Sequence, residues 1–257
     1  MRIKVFIVLL IVSFTSQVFA QQHPKRKDGS VQKETSNNDR FHPVQLLLLD
    51  EPLNLNDTSS RNICLDFLQT LAKHDLLHYS IEINSIYNAC QNNPTIDTPF
   101  FIESLKSKSL LTYQQRSYNQ AIIEFNTYFA IHKAYYHTDT SYAYEYSKYA
   151  LSYLRLKQNS QFLSVIDTAI EIAIKKQQPY NDLGLFYSLS GRYYTSKRKL
   201  DTARILLNIA QQYIDSSANK NFYIESNLYV EFGFLELFNS NMDMALIQFN
   251  HALELLL

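Results

Sequence analysis

A single spacing constrains this chain more than any other feature, because small residues recur at intervals of 41, 41 and 42 positions between about Thr98 and Leu257. Two of the four glycines in the chain fall at this one repeat position. A further small residue follows 12 positions later in three of the four repeats, and 19 positions later in three of the four. The apolar residues between them have helical spacing. The residues predicted to pack at these positions are Ser109, Ala121, Ala150, Ala169, Gly191, Ala203, Ala210, Gly233, Ala245 and Ala252.

Each repeat is long enough for two antiparallel helices that cross at the small residue. Glycine costs about 1 kcal/mol relative to alanine inside a helix, but it allows an approach that a Cβ atom would block. The chain has only four glycines and six prolines, which are too few turn residues for an all-β protein. An earlier stretch, Arg61 to Lys73 followed by Asp75 to Gln91, has helical spacing without the repeat signature. We interpret it as a degenerate first pair.

Two repeats, YSLSGRYYTSKRKLDTARILLNIA and YVEFGFLELFNSNMDMALIQFNHA, resemble the tetratricopeptide repeat. That family places an aromatic residue, Leu-Gly and Tyr on one helix, and Ala, an aromatic residue and Ala on the next. The period here exceeds the family's value of about 34, Glu236 stands where the family has Tyr, and no proline closes the units. The resemblance implies an all-α fold, a right-handed α–α superhelix (TPR-like solenoid) of about five helix pairs, which binds a protein or peptide in its concave groove.

The same resemblance implies which side chains line the groove. In the family they lie on the first helix of each pair, six and three positions before the small residue and one and four positions after it. In this sequence those positions are Glu103, Lys106, Tyr113, Tyr144, Ser147, Ser188, Arg192, Thr195 and Asn227. Their mixture of aromatic, amide, hydroxyl and charged groups suits a peptide or a polar ligand such as a glycan.

Residues 1–20 have the pattern of a secretory signal peptide. Arg2 and Lys4 precede an apolar run from Val5 to Val12, and a small-residue cleavage site follows. The run is short for a helix that spans a bilayer, although a membrane anchor is the alternative. We therefore expect an exported protein, periplasmic or secreted, with no membrane span after the signal is cleaved.

The remainder of the chain divides into two predicted regions. Residues 21–58 are predicted to form a polar linker in which Leu46 to Leu49 pack over the first helices as an N-terminal cap segment, and residues 59–257 form the repeat domain.

The last repeat ends on ALIQFNHALELLL, whereas repeat arrays usually end on a polar capping helix. We expect this uncapped end to recruit a second copy, a partner or the rest of a longer protein. Exported chains with this long repeat also resemble the sensor portions of larger bacterial regulators.

Charge and motifs argue against several functional classes. The formal net charge is zero, which leaves no electrostatic footprint for nucleic acid. No nucleotide-binding, serine-hydrolase or thiol-redox motif occurs, so we predict a protein that is not an enzyme and has no cofactor. His74 and His78 have the spacing of zinc-binding helices, but no third ligand is marked, so no metal is predicted. A polysaccharide-binding accessory protein and a hydrolase on a helical scaffold are the alternatives.

The two cysteines, Cys64 and Cys90, fall on the two helices of the first pair. An oxidising compartment would favour a disulfide between them, but a disulfide requires Cα atoms within about 7 Å. Buried free thiols are the alternative, and the sequence leaves both open.

Overall fold

The computed structural model describes residues 53, 55–71, 76–93, 96–137, 143–175, 177 and 180–257. The predicted signal peptide, the linker before residue 53 with its segment Leu46 to Leu49, and His74 lie outside the described residues. Within the described residues there are helices and turns but no strand. None of these helices combines the length and the apolar character that crossing a bilayer would require.

Ten helices follow one another along the described chain. They are α1 Thr58–Leu71, α2 Ser80–Gln91, α3 Thr98–Gln114, α4 Tyr118–Tyr136, α5 Ala143–Arg155, α6 Asn159–Lys175, α7 Tyr180–Ser196, α8 Leu200–Asp215, α9 Phe222–Phe238 and α10 Met242–Glu254. Neighbouring helices pack against each other from α2 to α5 and from α7 to α10. The first helices of successive pairs pack as well: α1 with α3, α3 with α5, and α7 with α9. The prediction of an all-α helical-repeat fold with five helix pairs is confirmed.

The first pair differs from its predicted bounds. The second helix of this pair begins at Ser80 rather than at Asp75, because residues 76–79 form a turn. Leu76 is buried at 3% exposure and its carbonyl accepts a hydrogen bond from the Tyr79 N–H at 3.2 Å. The buried leucine therefore anchors the turn, and α2 begins only after it, at Ser80.

Polar caps set the starts of several other helices. Asp97 accepts a hydrogen bond from the Phe100 N–H at 3.0 Å, and a proline lies in the first turn of α3. Asn221 caps α9 by accepting from two backbone N–H groups, and Asn241 caps α10 by accepting from the Met244 N–H. Such side chains satisfy N–H groups that have no partner within the helix.

The described residues form two compact units, 53–165 and 166–257, with the boundary inside α6. The core of the first unit is rich in aromatic rings. The fully buried Phe125 ring lies 6.2 Å from the Phe129 ring and 5.8 Å from the Tyr149 ring, centroid to centroid. Tyr149 also donates a hydrogen bond to Asn126. Aromatic rings therefore pack between α4 and α5 in this unit.

Glycines bring the helices close together in the second unit. A Cβ atom on Gly184 would lie 2.5 Å from the Ile214 side chain, and one on Gly191 would lie 2.5 Å from the Leu207 side chain. Gly184 comes before Gly191 on α7, whereas its partner Ile214 comes after Leu207 on α8. The two helices therefore run antiparallel. Gly233 of α9 has the same relation to Phe249 of α10, again at 2.5 Å. The predicted packing alanines of both units are all buried.

The turn between the two helices of a pair has the same backbone geometry four times. Seven positions after each small residue, a residue other than glycine has a left-handed backbone, and these residues are Arg116, Lys157, Arg198 and Ser240. Their φ values lie between 56° and 63°. The N–H of the following residue donates to the carbonyl five positions before it, which is the bonding of a Schellman helix end. The repeat is therefore present in the turns as well as in the helices.

The two cysteines are buried free thiols. Of the two alternatives that the sequence left open, the disulfide is therefore not formed in this structure. Burial raises the pKa of the Cys64 thiol to about 12 and that of Cys90 to about 11. Thiols of this kind are poor nucleophiles, because the reactive form is the thiolate.

Candidate functional site

Two of the predicted groove residues of the first unit meet around a lysine. The Lys148 ammonium lies 4.6 Å from the Tyr144 ring centroid and 5.7 Å from the Tyr113 ring centroid. Lys148 is one helical turn after Tyr144 on α5, whereas Tyr113 lies near the end of α3. These distances are those of cation–π contacts. We call these three residues the α3–α5 face.

The α3–α5 face has both a rigid and an accessible part. Tyr113 is half-buried and its ring lies 5.7 Å from the Tyr118 ring, so α4 supports it from one side. Tyr144 is 41% exposed, and Lys148 is half-buried. A tyrosine presents a large surface with few rotatable bonds, and it therefore loses little conformational entropy when it contacts a ligand.

A charged pair joins the first helices of the second unit. The Arg192 guanidinium of α7 lies 3.5 Å from the Glu231 carboxylate of α9, with side-chain exposures of 40% and 9%. Burial raises the pKa of the Glu231 carboxyl to about 7, although the charge of Arg192 opposes this rise. Asn227 lies one turn before Glu231 on α9 and donates to the Tyr223 carbonyl at 2.8 Å. We call Arg192, Asn227 and Glu231 the α7–α9 face.

Two further carboxylates of α9 are buried beside cations. Glu225 lies 3.8 Å from the Lys220 ammonium, and Glu236 lies 2.8 Å from the Arg204 guanidinium of α8. Glu236 occupies the position at which the tetratricopeptide repeat has Tyr. The ion pair with α8 accounts for this departure, because a buried carboxylate needs a charged or hydrogen-bonding partner.

The other predicted groove residues form two groups, a half-buried ion pair and three buried hydroxyl residues. Glu103 and Lys106 form an ion pair with each other on α3 and lie close enough to His132 of α4 to influence its pKa, which burial lowers. Three further predicted residues, Ser147, Ser188 and Thr195, are buried. The Ser147 hydroxyl donates to the Tyr144 carbonyl, and the Thr195 hydroxyl donates to the Gly191 carbonyl. These three side chains pack inside the fold and present little surface to a ligand.

Two residues of these faces were missed by the sequence reasoning. Lys148 and Glu231 both lie two positions before the small residue of their repeat. In each case the side chain reaches the first helix of the preceding pair. The signal that would have identified them is their common offset within the 41- to 42-residue repeat.

The described residues hold no group of three or more His, Cys, Asp or Glu side chains that could bind a metal ion. His78, one half of the predicted histidine pair, packs its ring 4.7 Å from the Tyr79 ring. The arrangement on both faces is one of aromatic surfaces and paired charges, which is suited to non-covalent contact.

Comparison with known proteins finds a similar fold among solved structures. No family model and no curated protein matches this chain. The crystal structure of BtubC (BKLC) from P. vanneervenii matches with a TM-score of 0.58 at 12% sequence identity, over 85% of this chain and 87% of that one. The match extends over nearly the whole of both chains, and at this identity it shows a shared helical fold alone.

Proposed function

We propose that this chain is an exported helical-repeat scaffold that binds a protein or peptide through its α3–α5 face. The observation that carries this proposal is the placement of Lys148 over Tyr113 and Tyr144 on two adjacent first helices. The face combines two aromatic surfaces with a cation whose ammonium is a hydrogen-bond donor. Export is supported by the signal-like pattern of residues 1–20.

A polypeptide segment fits the chemistry of this face. Tyrosine rings contact aliphatic and aromatic side chains, and tyrosine hydroxyl groups can make polar contacts. An ammonium group can bind the carbonyl or carboxylate oxygens of an extended chain. Tyrosine is among the residues that contribute most to binding energy in protein interfaces. The proposed role is therefore binding without chemical change of the ligand.

A displayed library of random peptides, selected on the purified protein, tests this role. We expect enriched peptides whose affinity falls at least about tenfold in the double variant Tyr144→Ser, Lys148→Ser. The matched control is Ile123→Ser on α4, because Ile123 is 58% exposed on the second helix of a pair. Its affinity for the same peptides should equal that of the unmodified protein.

Two results would contradict the proposal. One is peptide binding that is equally strong in the double variant and in the Ile123 control. The other is a failure to enrich any peptide while the same variants change binding on a glycan array, which would favour the polysaccharide-binding alternative. A hydrolase would be recognised by turnover that carboxylate variants abolish.

A further inference from the structure

A cleft in the second unit lies away from the two faces described above. Its volume is about 960 Å³, which is within the usual size of small-ligand sites. It is formed where the end of α6 and the start of α7 meet the end of α8 and the start of α9. The residues that line it are Ala173, Ile174, Gln177, Tyr180, Asn181, Asp182, Leu183, Tyr213, Ser216, Ser217, Ala218, Asn219 and Asn221.

Two tyrosines form the aromatic wall of the cleft. The Tyr180 and Tyr213 ring centroids lie 5.9 Å apart with 48° between the ring planes. Tyr213 is held from behind by Tyr187, whose ring stacks on it at 5.6 Å with 10° between the planes. Tyr180 is 49% exposed. One ring is thus fixed by stacking and the other is accessible to a ligand.

Several polar groups of the lining are already used inside the protein. The Asn181 amide donates to the Asn219 carbonyl at 2.6 Å, and the Ser217 hydroxyl donates to the same carbonyl at 3.1 Å. The Ser216 hydroxyl donates to the Gln212 carbonyl. The Asn221 side-chain oxygen accepts the N–H groups that it caps at the start of α9. These groups have reduced capacity to bind the many hydroxyls of a sugar.

Asn181 and Asp182 add side-chain oxygens to the lining that can accept hydrogen bonds. Asn181 is 9% exposed, and its side-chain oxygen is buried without a hydrogen-bond partner among the described residues. Asp182 is the only charged residue among the described residues of the lining. Its burial raises the pKa of the carboxyl to about 6, and no cation among the described residues opposes the rise. A half-buried carboxylate that has no counter-charge among the described residues favours a cationic partner.

We propose that this cleft binds an organic cation, an ammonium or guanidinium group, with Asp182 as the counter-charge and Tyr180 and Tyr213 as the aromatic wall. Aromatic faces attract cations because the face of the ring carries the negative end of its quadrupole. The same chemistry can come from a free diamine or from a lysine or arginine side chain of a peptide. The site is built from other residues than the α3–α5 face and does not depend on the function proposed for that face.

Calorimetric titration of the purified protein tests this site with defined probes. Cadaverine and agmatine represent free cations, and Nα-acetyl-lysine amide and Nα-acetyl-arginine amide represent the peptide side chains. The neutral probes are 1,5-pentanediol and glucose. We expect at least one cationic probe to bind and both neutral probes to fail. The comparison between free and blocked cations then identifies the source of the ligand.

The variant Asp182→Asn keeps the size of the side chain and removes its charge. We expect it to weaken the binding of the cation at least about tenfold. The matched control is Asp215→Asn, because Asp215 is an exposed carboxylate of α8 that does not line the cleft. Its affinity should be unchanged. Circular dichroism confirms that both variants are folded, and Tyr180→Ala supplies a second variant at an exposed position.

Three outcomes would overturn the proposal. The first is the absence of binding by any cationic probe up to about 10 mM. The second is equal binding of cadaverine and 1,5-pentanediol, which would show that charge is not recognised. The third is unchanged cation affinity in both Asp182→Asn and Tyr180→Ala, which would place the bound cation elsewhere on the protein.

Discussion

At the position where the two helices of a pair cross, the second unit has Gly191 and Gly233, whereas the first unit has Ser109 and Ala150. In the second unit the residue 16 positions later, Leu207 or Phe249, occupies the space where the Cβ atom of the glycine would lie. In the first unit Ser109 keeps its side chain, and its hydroxyl donates to the Leu105 carbonyl of its own helix at 2.7 Å.

The difference shows two ways to pack the same repeat. A glycine lets a large side chain of the second helix reach the backbone of the first, and close packing offsets the low helix propensity of glycine. A serine satisfies its hydroxyl within its own helix, and aromatic rings around Phe125 fill the remaining space. The repeat position therefore requires a small residue, while the choice among small residues depends on the partner helix.

Replacement of Gly191 has the largest expected effect. In Gly191→Leu the new side chain would occupy space that Leu207 already fills, since even its Cβ atom would lie 2.5 Å from that side chain. We expect destabilisation of about 3 kcal/mol or more from overpacking in a close-packed core. Urea unfolding of the variant and the unmodified protein measures the change.

Two controls sharpen this comparison. Gln212→Leu places the same side chain at an exposed position of α8 and should change the stability by less than about 0.5 kcal/mol. Ser109→Gly should cost about 0.5 kcal/mol, because glycine has a lower helix propensity than serine and the aromatic packing of the first unit gains no new contact. Equal stability of Gly191→Leu and the unmodified protein would refute the close-packing account of the second unit.

The two units also differ in the charge of the residue two positions before the small residue of a repeat, and the expected effect of this difference is smaller. Glu231 of the second unit has a pKa of about 7, above its ordinary value of 4.5, whereas the first unit has Lys148 at the same offset. The folded state binds this proton more tightly than the unfolded state does, so protonation of Glu231 favours folding. This contribution to the free energy of unfolding is fully present below pH 4.5 and is lost as the pH rises through 7. Glu231→Gln should abolish this loss.

Urea unfolding at pH 5 and pH 8 measures the effect of Glu231. We expect the stability of Glu231→Gln relative to the unmodified protein to increase from pH 5 to pH 8 by on the order of 1 to 3 kcal/mol. Lys148→Gln is the control at the same offset in the first unit. Its stability relative to the unmodified protein should not increase between pH 5 and pH 8. A relative stability of Glu231→Gln that is constant with pH would contradict the assigned burial of its carboxyl.

Substitution of a left-handed turn residue by glycine should change the stability equally in both units, and this is the smallest of the expected effects. Lys157 in the first unit and Ser240 in the second have left-handed backbones with φ of 61° and 63°. A left-handed backbone costs an ordinary residue roughly 1 kcal/mol, whereas glycine adopts it freely. Lys157→Gly and Ser240→Gly should each raise the stability by about 0.5 to 1 kcal/mol, measured by thermal unfolding. Destabilisation in one unit alone would show that the turns are not equivalent.

Much of the fold was predictable from local patterns. Helical periodicity predicted the helices, because it depends on residues within one or two turns of each other. The 41- to 42-residue spacing of small residues predicted their number and pairing. The start of α2 was misplaced, since the turn before it depends on the burial of Leu76. The left-handed turns were not recognised because Arg116, Lys157 and Arg198 lack the glycine that usually marks such a turn.

The candidate sites were less predictable than the fold. Family positions identified Tyr113, Tyr144 and Arg192, but not Lys148 or Glu231, which complete the two faces. The cleft was missed entirely. Its lining comes from two loops more than 30 positions apart in the chain, and no motif links them.

The sequence by itself determined that this chain forms successive helix pairs, because a small residue at a regular interval within helical periodicity requires a crossing partner. Only the tertiary structure decided which side chains meet across those crossings, such as Tyr180 with Tyr213 and Arg192 with Glu231. The physical reason is that local periodicity sets the face on which a side chain lies, whereas the distance between two faces depends on the packing of every residue between them.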